Sequence, residues 1–205
     1  MSLLSLFPAL NAAGAGGRYG GPPPIVPRWA FEPWVWEGNG NTRHTAEQLV
    51  EGYRSRGIPV GAIIIHGPWS TAYNDFTWDT RRYPAPETML QGFQAKGLRV
   101  IMWLNGLVNG ESQDVSRADP AYDEVHRLRY AVNDGALVEW RNGFGRHVDF
   151  TPPAARAWWG ERMDRVARSV DAWKVDQGEA YLNQPRQPDL DDRKDRQRIQ
   201  FRRRR

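Results

Sequence analysis

Residues 170–179 read VDAWKVDQGE, a short strand-like run that carries charged side chains where a buried strand would carry aliphatic ones. Because side chains on a strand alternate between its two faces, Lys174 and Asp176 share one face, while Trp173 and Val175 share the other. A cation and a carboxylate are costly to bury in a strand interior unless they reach water or serve a site. The sequence therefore predicts either an ion pair at the strand end or a functional site, and we favour the site.

The composition is that of a folded chain of ordinary domain size. The protein has 205 residues, of which 40% are hydrophobic, with ten Trp and no Cys. This length suits one domain with a core better than two domains. The absence of Cys excludes disulfides, thiolate metal sites and cysteine nucleophiles. The four His have no metal-ligand spacing, so neither a metal nor a cofactor is predicted.

The positive charge of the chain is concentrated at its carboxyl terminus. The formal net charge is +4, but residues 193–205 alone hold eight Lys or Arg and one Asp. Such a run can bind nucleic acid by releasing counterions. It contains a single Phe for stacking, so we favour a basic, disordered tail over residues 183–205. Nucleic-acid binding through this tail stays open as an alternative function.

The amino-terminal sequence shows no clear targeting signal. Residues 3–7 read LLSLF, a short apolar run without the basic start of a secretory signal. Residues 1–24 continue into a Gly- and Pro-rich stretch, which predicts a linker or a disordered segment. No stretch approaches a membrane-spanning length, so no membrane partner is expected. The compartment stays open, with the cytoplasm favoured.

Strand and helix signals alternate four times between residues 25 and 182. Extended runs are predicted at residues 25–36, 58–66, 98–104 and 170–179, with helical periodicity between them. A hairpin is predicted around residues 142–143, before the last helix. The alternation predicts an α/β fold in which a parallel sheet is covered by helices.

Aromatic and polar side chains collect at the predicted carboxyl ends of these strands. They are Trp34 and Trp36, His66 and Trp69, Trp103 and Asn105, and Lys174 and Asp176. Functional groups of parallel α/β sheets lie at this edge. A Trp cluster there suits a ring-shaped ligand with apolar faces and polar edges, such as a sugar. Packing in the core is the competing explanation.

Several short segments follow one another in an order typical of a known family. They read PRWAF at 27–31, RGIP at 56–59, FTWD at 76–79, GLRVIMW at 97–103, DFTP at 149–152 and WKVDQGE at 173–179. In this order they resemble glycoside hydrolase family 31, whose catalytic domain is a barrel of eight strands and helices. The resemblance implies a partial (β/α)8 TIM barrel that comprises about the first four βα units.

The resemblance also implies a chemistry, the retaining hydrolysis of α-glycosides such as α-glucosides or α-xylosides. In that reaction one carboxylate attacks the anomeric carbon, and a second carboxylic acid, about 5 Å away, protonates the leaving oxygen. Asp176 stands at the position of the nucleophile. Lys174, on the same strand face, would favour the ionised carboxylate and reach a sugar hydroxyl. The expected partner is an α-linked sugar or oligosaccharide.

Four further residues are candidates for substrate binding. Trp103 matches an aromatic wall of the family's sugar pocket, and Phe31 matches a similar position on the first strand. His66 stands where most members carry a carboxylate that holds sugar hydroxyls, although an imidazole can also donate or accept a hydrogen bond. Trp69 belongs to the Trp cluster at the same edge.

The chain departs from the family in its length. A complete barrel takes about 250 residues, and the family's acid/base aspartate lies on strands after the fourth. We therefore expect residues 25–182 to be a truncated barrel that lacks the acid/base half and is inactive alone, with the carboxyl-terminal half as its partner. The alternative is a non-catalytic or degenerate fragment that binds carbohydrate.

Overall fold

The computed structural model describes residues 25–38, 40–112, 115, 117–140 and 143–176, so the predicted end segments 1–24 and 183–205 lie outside the described residues. The strands are β1 (Trp34–Trp36), β2 (Ala62–Ile65), β3 (Arg99–Leu104), β4 (Leu107–Glu111), β5 (Val138–Trp140), β6 (Gly143–His147) and β7 (Ala172–Val175). The α-helices are α1 (Arg43–Arg54), α2 (Pro86–Ala95), α3 (Tyr122–Arg127) and α4 (Pro153–Ala167), and 3-10 helices cover Arg28–Phe31 and Val132–Gly135. None of the helices in these ranges has the length and apolar character needed to cross a bilayer.

Four of the strands form a parallel sheet in the order β1-β2-β3-β7. Helices α1 and α2 connect the first three strands, and α4 leads into β7. Among the described residues the sheet is open, with β1 and β7 at its edges. The predicted α/β class is confirmed, and the open four-stranded sheet agrees with a partial (β/α)8 barrel.

The register of the sheet brings the predicted site residues into one row. Ile65 pairs with Met102, and Trp103 pairs with Lys174. By extension of this register, His66, Trp103 and Lys174 stand side by side on three adjacent strands. Their row lies toward the carboxyl ends of the strands, where parallel α/β sheets carry their functional groups.

The two faces of the parallel sheet have different cores. The outer face packs against the helices and includes Val35, Ile63, Ile65, Val100 and Met102, with Val50 of α1, Phe93 of α2 and Val166 of α4. Each fully buried aliphatic side chain of this kind contributes about 1.5–3 kcal/mol. The inner face carries Ala62, Ile64 and Ile101. Trp34 and Trp36 pair with Ala62 and Ile64, so they lie on the inner face, where they are 38% and 54% exposed.

A second, antiparallel sheet follows β3, with the strand order β4-β6-β5. The predicted hairpin around residues 142–143 is confirmed as β5 and β6. Strand β4 was not predicted, because its sequence LVNGE contains Gly and Asn, which are rare in strands. On the partner strand β6, Gly145 is required because space is short. A Cβ at this position would lie 2.4 Å from Leu107 Cδ2.

The predicted start of the first strand is wrong. The extended run was expected from residue 25, but β1 begins at Trp34. The preceding residues form a 3-10 turn, in which the Ala30 N–H donates to the Pro27 carbonyl at 3.0 Å. Phe31 therefore lies on this turn and not on the first strand.

An ion pair fixes the loop that follows β2. Asp79 Oδ1 accepts hydrogen bonds from Arg81 N at 3.1 Å and Nε at 3.0 Å, and Oδ2 accepts one from Arg81 Nη2 at 2.9 Å. These bonds to Arg81 hold the pKa of the Asp79 carboxyl below its usual value. Because the pKa is depressed in the folded state, the resulting stability is present above the unfolded pKa of about 3.9 and is lost as the pH falls through the folded value.

We expect the Asp79→Asn variant to be less stable than the unsubstituted protein at pH 7, because it cannot form the ion pair with Arg81. The difference between their free energies of unfolding should decrease as the pH falls below about 4 and the carboxylate of the unsubstituted protein becomes protonated. Urea unfolding at a series of pH values measures this difference. A difference that stays constant from neutral to acid pH would contradict the assignment.

Candidate active site

Asp176 follows β7 at the carboxyl end of the parallel sheet. Its N–H donates to the Leu104 carbonyl at 2.9 Å, which continues the pairing of β7 with β3. Its Oδ2 accepts hydrogen bonds from Trp103 Nε1 at 2.9 Å and from Lys174 Nζ at 2.5 Å. The side chains of Lys174 and Asp176 are 33% and 32% exposed. Two charge-assisted bonds thus orient the carboxylate while part of it stays accessible.

His66 extends this group of residues across the sheet. Its ring lies against the ring of Trp103, with 5.5 Å between the centroids. His66 Nδ1 is 3.1 Å from the Gly67 carbonyl oxygen. Because a carbonyl only accepts, Nδ1 carries the proton in this contact. The structure therefore brings together five of the six predicted site residues, namely His66, Trp103, Lys174 and Asp176, with Trp69 hydrogen-bonded to Trp103.

Trp69 and Trp103 are both buried. Trp103 is 0% exposed and Trp69 is 1% exposed. The Trp69 indole N–H donates to the Trp103 carbonyl at 2.8 Å. In the described structure Trp69 thus supports Trp103, and Trp103 acts on Asp176 through its indole N–H rather than through an open ring face.

Phe31 lies away from this group. Its turn precedes the amino end of β1, whereas Asp176 follows the carboxyl end of β7. Because the strands are parallel, these positions are at opposite ends of the sheet. Phe31 is also 77% exposed.

Sequence reasoning missed residues that shape the site from neighbouring loops. Tyr73 meets the ring of Trp103 edge to face, with 5.8 Å between the centroids. Asn41 Nδ2 donates to the His66 carbonyl at 2.6 Å and so ties the loop after β1 to the end of β2. Both lie in loops that follow parallel strands, the one signal that could have indicated them. Among the described residues, no cluster of three His, Asp or Glu side chains could hold a metal ion.

Gly67 leaves the space that Trp103 occupies. A Cβ at this position would lie 2.7 Å from Trp103 Cε3. We expect Gly67→Ala to displace the indole, weaken its hydrogen bond to Asp176 and destabilise the protein by about 1–3 kcal/mol, as overpacking does. Urea unfolding measures the loss.

Gly92→Ala on α2 is the matched control, because outside the backbone of its own helix nothing lies within 4 Å of an added Cβ there. This variant should equal or exceed the stability of the unsubstituted protein, since Ala favours helix more than Gly does. Equal stabilities of the two variants would contradict the close packing at Gly67.

Comparison with known proteins adds independent information about this chain. The family model described as "Glycosyl hydrolases family 31 TIM-barrel domain" matches residues 23–203. The mouse myogenesis-regulating glycosidase is 29% identical over 163 residues, which cover 76% of this chain and 22% of the relative. An alpha-xylosidase of Lactiplantibacillus pentosus is 26% identical over 167 residues, which cover 76% of this chain and 21% of the relative. The chain thus spans about a fifth of the length of these curated relatives.

Solved structures show the same fold. A dextranase mutant of Flavobacterium johnsoniae complexed with isomaltotriose superimposes with a TM-score of 0.64 at 22% identity, over 75% of this chain and 19% of that chain. An alpha-xylosidase from a soil metagenome, complexed with xylose, superimposes with a TM-score of 0.65 at 18% identity, over 78% of this chain and 24% of that chain. The family match covers most of the sequence and includes the strand end that carries Asp176. The chain therefore belongs to glycosyl hydrolase family 31.

Proposed function

We propose that Asp176 is the nucleophile of a retaining α-glycosidase and that residues 25–182 form the half of the barrel that carries it. The observation that carries the proposal is the carboxylate of Asp176, bound by Trp103 and Lys174 and still 32% exposed at the carboxyl end of a parallel sheet. Relatives named as alpha-xylosidases support an α-linked sugar as the substrate class.

In the proposed reaction the ionised carboxylate of Asp176 attacks the anomeric carbon. The bond from this carbon to the leaving group breaks, and a glycosyl ester of inverted configuration forms on the carboxylate. Water then cleaves the ester and restores both the carboxylate and the original configuration. The bonds from Trp103 and Lys174 fix the carboxylate before substrate arrives, which lowers the reorganisation that the reaction requires.

His66 and Lys174 are the proposed contacts to sugar hydroxyls. They flank Trp103 in the row described above, on the same face as Asp176. The ammonium of Lys174 can donate, and the imidazole of His66 can donate or accept. Recognition of the sugar edge by these groups fits a polar ligand with several hydroxyls.

The acid that protonates the leaving group is proposed to lie in the other half of the barrel. The described parallel sheet has four strands, and a complete barrel has eight. A retaining mechanism needs the second carboxyl group about 5–5.5 Å from the first. The carboxyl-terminal half is thus the proposed partner, and residues 25–182 by themselves are proposed not to cleave glycosides whose leaving group needs a proton.

Glycosyl fluorides test this proposal, because fluoride leaves without protonation. We expect the chain to release a burst of about one fluoride ion per molecule from an α-xylosyl or α-glucosyl fluoride, since the ester then accumulates. A 4-methoxyphenyl α-glycoside should stay intact under the same conditions. Fluoride release no faster than in buffer, or unchanged in Asp176→Asn, would refute the assignment of the nucleophile.

Asp171→Asn provides the control in this assay. Asp171 precedes β7, at the opposite end of the strand from Asp176, and pairs with Arg99 at 2.8 Å. The variant removes the same charge from the same strand without touching the proposed site, so its fluoride burst should match that of the unsubstituted chain.

Sugar binding without turnover is a second candidate function, because Trp34 and Trp36 expose their rings on the inner face of the sheet. It predicts that a monosaccharide quenches Trp fluorescence with saturation while no fluoride is released. A Trp36→Ala variant should weaken this quenching, and quenching that does not change in the variant would count against the inner face as the binding surface.

A further inference from the structure

Two buried asparagines join the loop after β2 to the end of β3. The Nδ2 of Asn74 donates to Asn105 Oδ1 and to the Leu107 carbonyl. The Oδ1 of Asn74 accepts from the Asn105 N–H at 3.4 Å. Both asparagines are 0% exposed, so water does not compete for these bonds. The loop and the strand end are therefore fixed to each other.

The neighbour of Asn74 contacts the residue that orients the proposed nucleophile. The Tyr73 N–H donates to Asn109 Oδ1 at 3.1 Å. This bond and the contact of Asn74 with Asn105 hold two successive residues of the loop. The Tyr73 ring meets Trp103 edge to face at 5.8 Å. Trp103 in turn donates its indole N–H to Asp176 at 2.9 Å. Asn74 is thus linked to Asp176 through the peptide backbone to Tyr73, the contact of Tyr73 with Trp103 and the hydrogen bond from Trp103 to Asp176.

Helix α4 anchors the same loop from the outside. Arg162 Nη2 donates to the Asn74 carbonyl at 3.0 Å and to Asp119 Oδ1 at 2.7 Å. The side chains of Arg162 and Asp119 are 10% and 0% exposed. The backbone of Asn74 is thus held by α4, while its side chain holds Asn105, so Asn74 has little freedom to move.

We propose that Asn74 is a positioning residue for Asp176. Its side chain keeps Tyr73 against Trp103, and this contact keeps the indole N–H on the carboxylate. Asn74 touches neither Asp176 nor the region where a sugar would bind, so it acts through other residues. The inference rests on the proposed role of Asp176 as the nucleophile.

The indole N–H resonance of Trp103 in the ¹⁵N-labelled chain reports on this arrangement directly. A Trp103→Phe variant assigns the resonance. In Asp176→Asn we expect it to shift, because the indole N–H then loses its charged acceptor. Asn74→Asp exchanges the donor Nδ2 for an acceptor at nearly constant volume. In this variant the Trp103 resonance should shift.

The fluoride burst provides a second readout of positioning. In Asn74→Asp the burst rate constant should fall by about 10- to 100-fold, the range expected when a reacting group is misplaced. The concentration of the glycosyl fluoride that gives half the maximal burst rate should stay within a factor of about two, because the sugar contacts are untouched. Asn133→Asp, the same substitution at an exposed residue, is the control and should match the unsubstituted chain in both readouts.

A Trp103 resonance that keeps its position in Asn74→Asp would overturn the inference. If that variant does not fold, hydrogen exchange of the Asn74 side-chain amide in the unsubstituted chain decides. Exchange at least about tenfold slower than that of Asn133 supports the inference, and equal exchange overturns it. A full fluoride burst in Asp176→Asn would instead refute the proposed function, whatever the Trp103 resonance does.

Discussion

Replacing Asp176 with Ala should reduce the rate of fluoride release from an α-glycosyl fluoride by roughly 10⁴-fold or more, the scale expected when a covalent nucleophile is removed. The variant leaves Trp103 and Lys174 in place but removes the atom that attacks the anomeric carbon. The measurement is the fluoride burst over time. Asp171→Ala, at the amino end of the same strand, is the matched control.

Azide should restore fluoride release in Asp176→Ala. A small anion can enter the space left by the carboxylate and attack from the same side. Attack opposite to the α-linked fluoride gives the β-glycosyl azide, so the configuration of the product reports which face of the sugar met position 176. An α-configured azide, or equal rescue of Asp171→Ala, would contradict the proposed geometry.

The second large effect concerns stability, at the buried ion pair of Arg162 and Asp119. Arg162→Ala should lower the free energy of unfolding by about 3–5 kcal/mol, because it leaves a buried carboxylate without its partner. The guanidinium also lies over the Trp158 ring at 5.0 Å, so packing is lost as well. Urea unfolding measures the change.

The loss in Arg162→Ala should depend on pH. Burial raises the pKa of the Asp119 carboxyl, whereas Arg162 lowers it, so removing Arg162 should raise this pKa further. Because the folded protein then binds a proton more readily than the unfolded chain, the variant should regain stability as the pH falls from 7 toward the unfolded pKa of Asp. A loss that does not depend on pH would show that the buried charge of Asp119 is not its cause.

A more exposed pair serves as the control for this experiment. Arg43 and Glu47 form an ion pair at 2.9 Å on α1, with side chains 26% and 41% exposed. Glu47→Ala should cost less than about 1 kcal/mol, because solvent screens such pairs. Equal losses at the two pairs would contradict the account of burial.

Local patterns in the sequence were sufficient to predict which side chains lie together at the centre of the candidate site. The alternation of side chains along residues 172–176 placed Lys174 and Asp176 on one face. In the structure Lys174 Nζ lies 2.5 Å from Asp176 Oδ2. The buried run of β3 ended at the predicted position, so Trp103 was expected at the same edge of the sheet. Strand periodicity and the rule for parallel sheets use only short segments, and short segments are what a sequence shows most clearly.

Contacts between distant segments could not be predicted in the same way. Arg162 and Asp119 are 43 residues apart, and Asn74 and Asn105 are 31 residues apart. No periodicity links such pairs, and a single Arg on a helix is more often exposed than buried. Phe31 was misplaced for a local reason, because the prolines that flank it are compatible with an extended strand and also with the 3-10 turn that forms.

Identification of the residue that bonds to the sugar is the most direct test of the central claim. The chain is incubated with an α-xylosyl or α-glucosyl fluoride, digested at acid pH to preserve the ester, and its peptides are sequenced by mass spectrometry. The account predicts a single glycosyl ester on Asp176, absent from Asp176→Asn and present in Asp171→Asn. A glycosyl ester on another carboxylate, or none while fluoride is released, would contradict it.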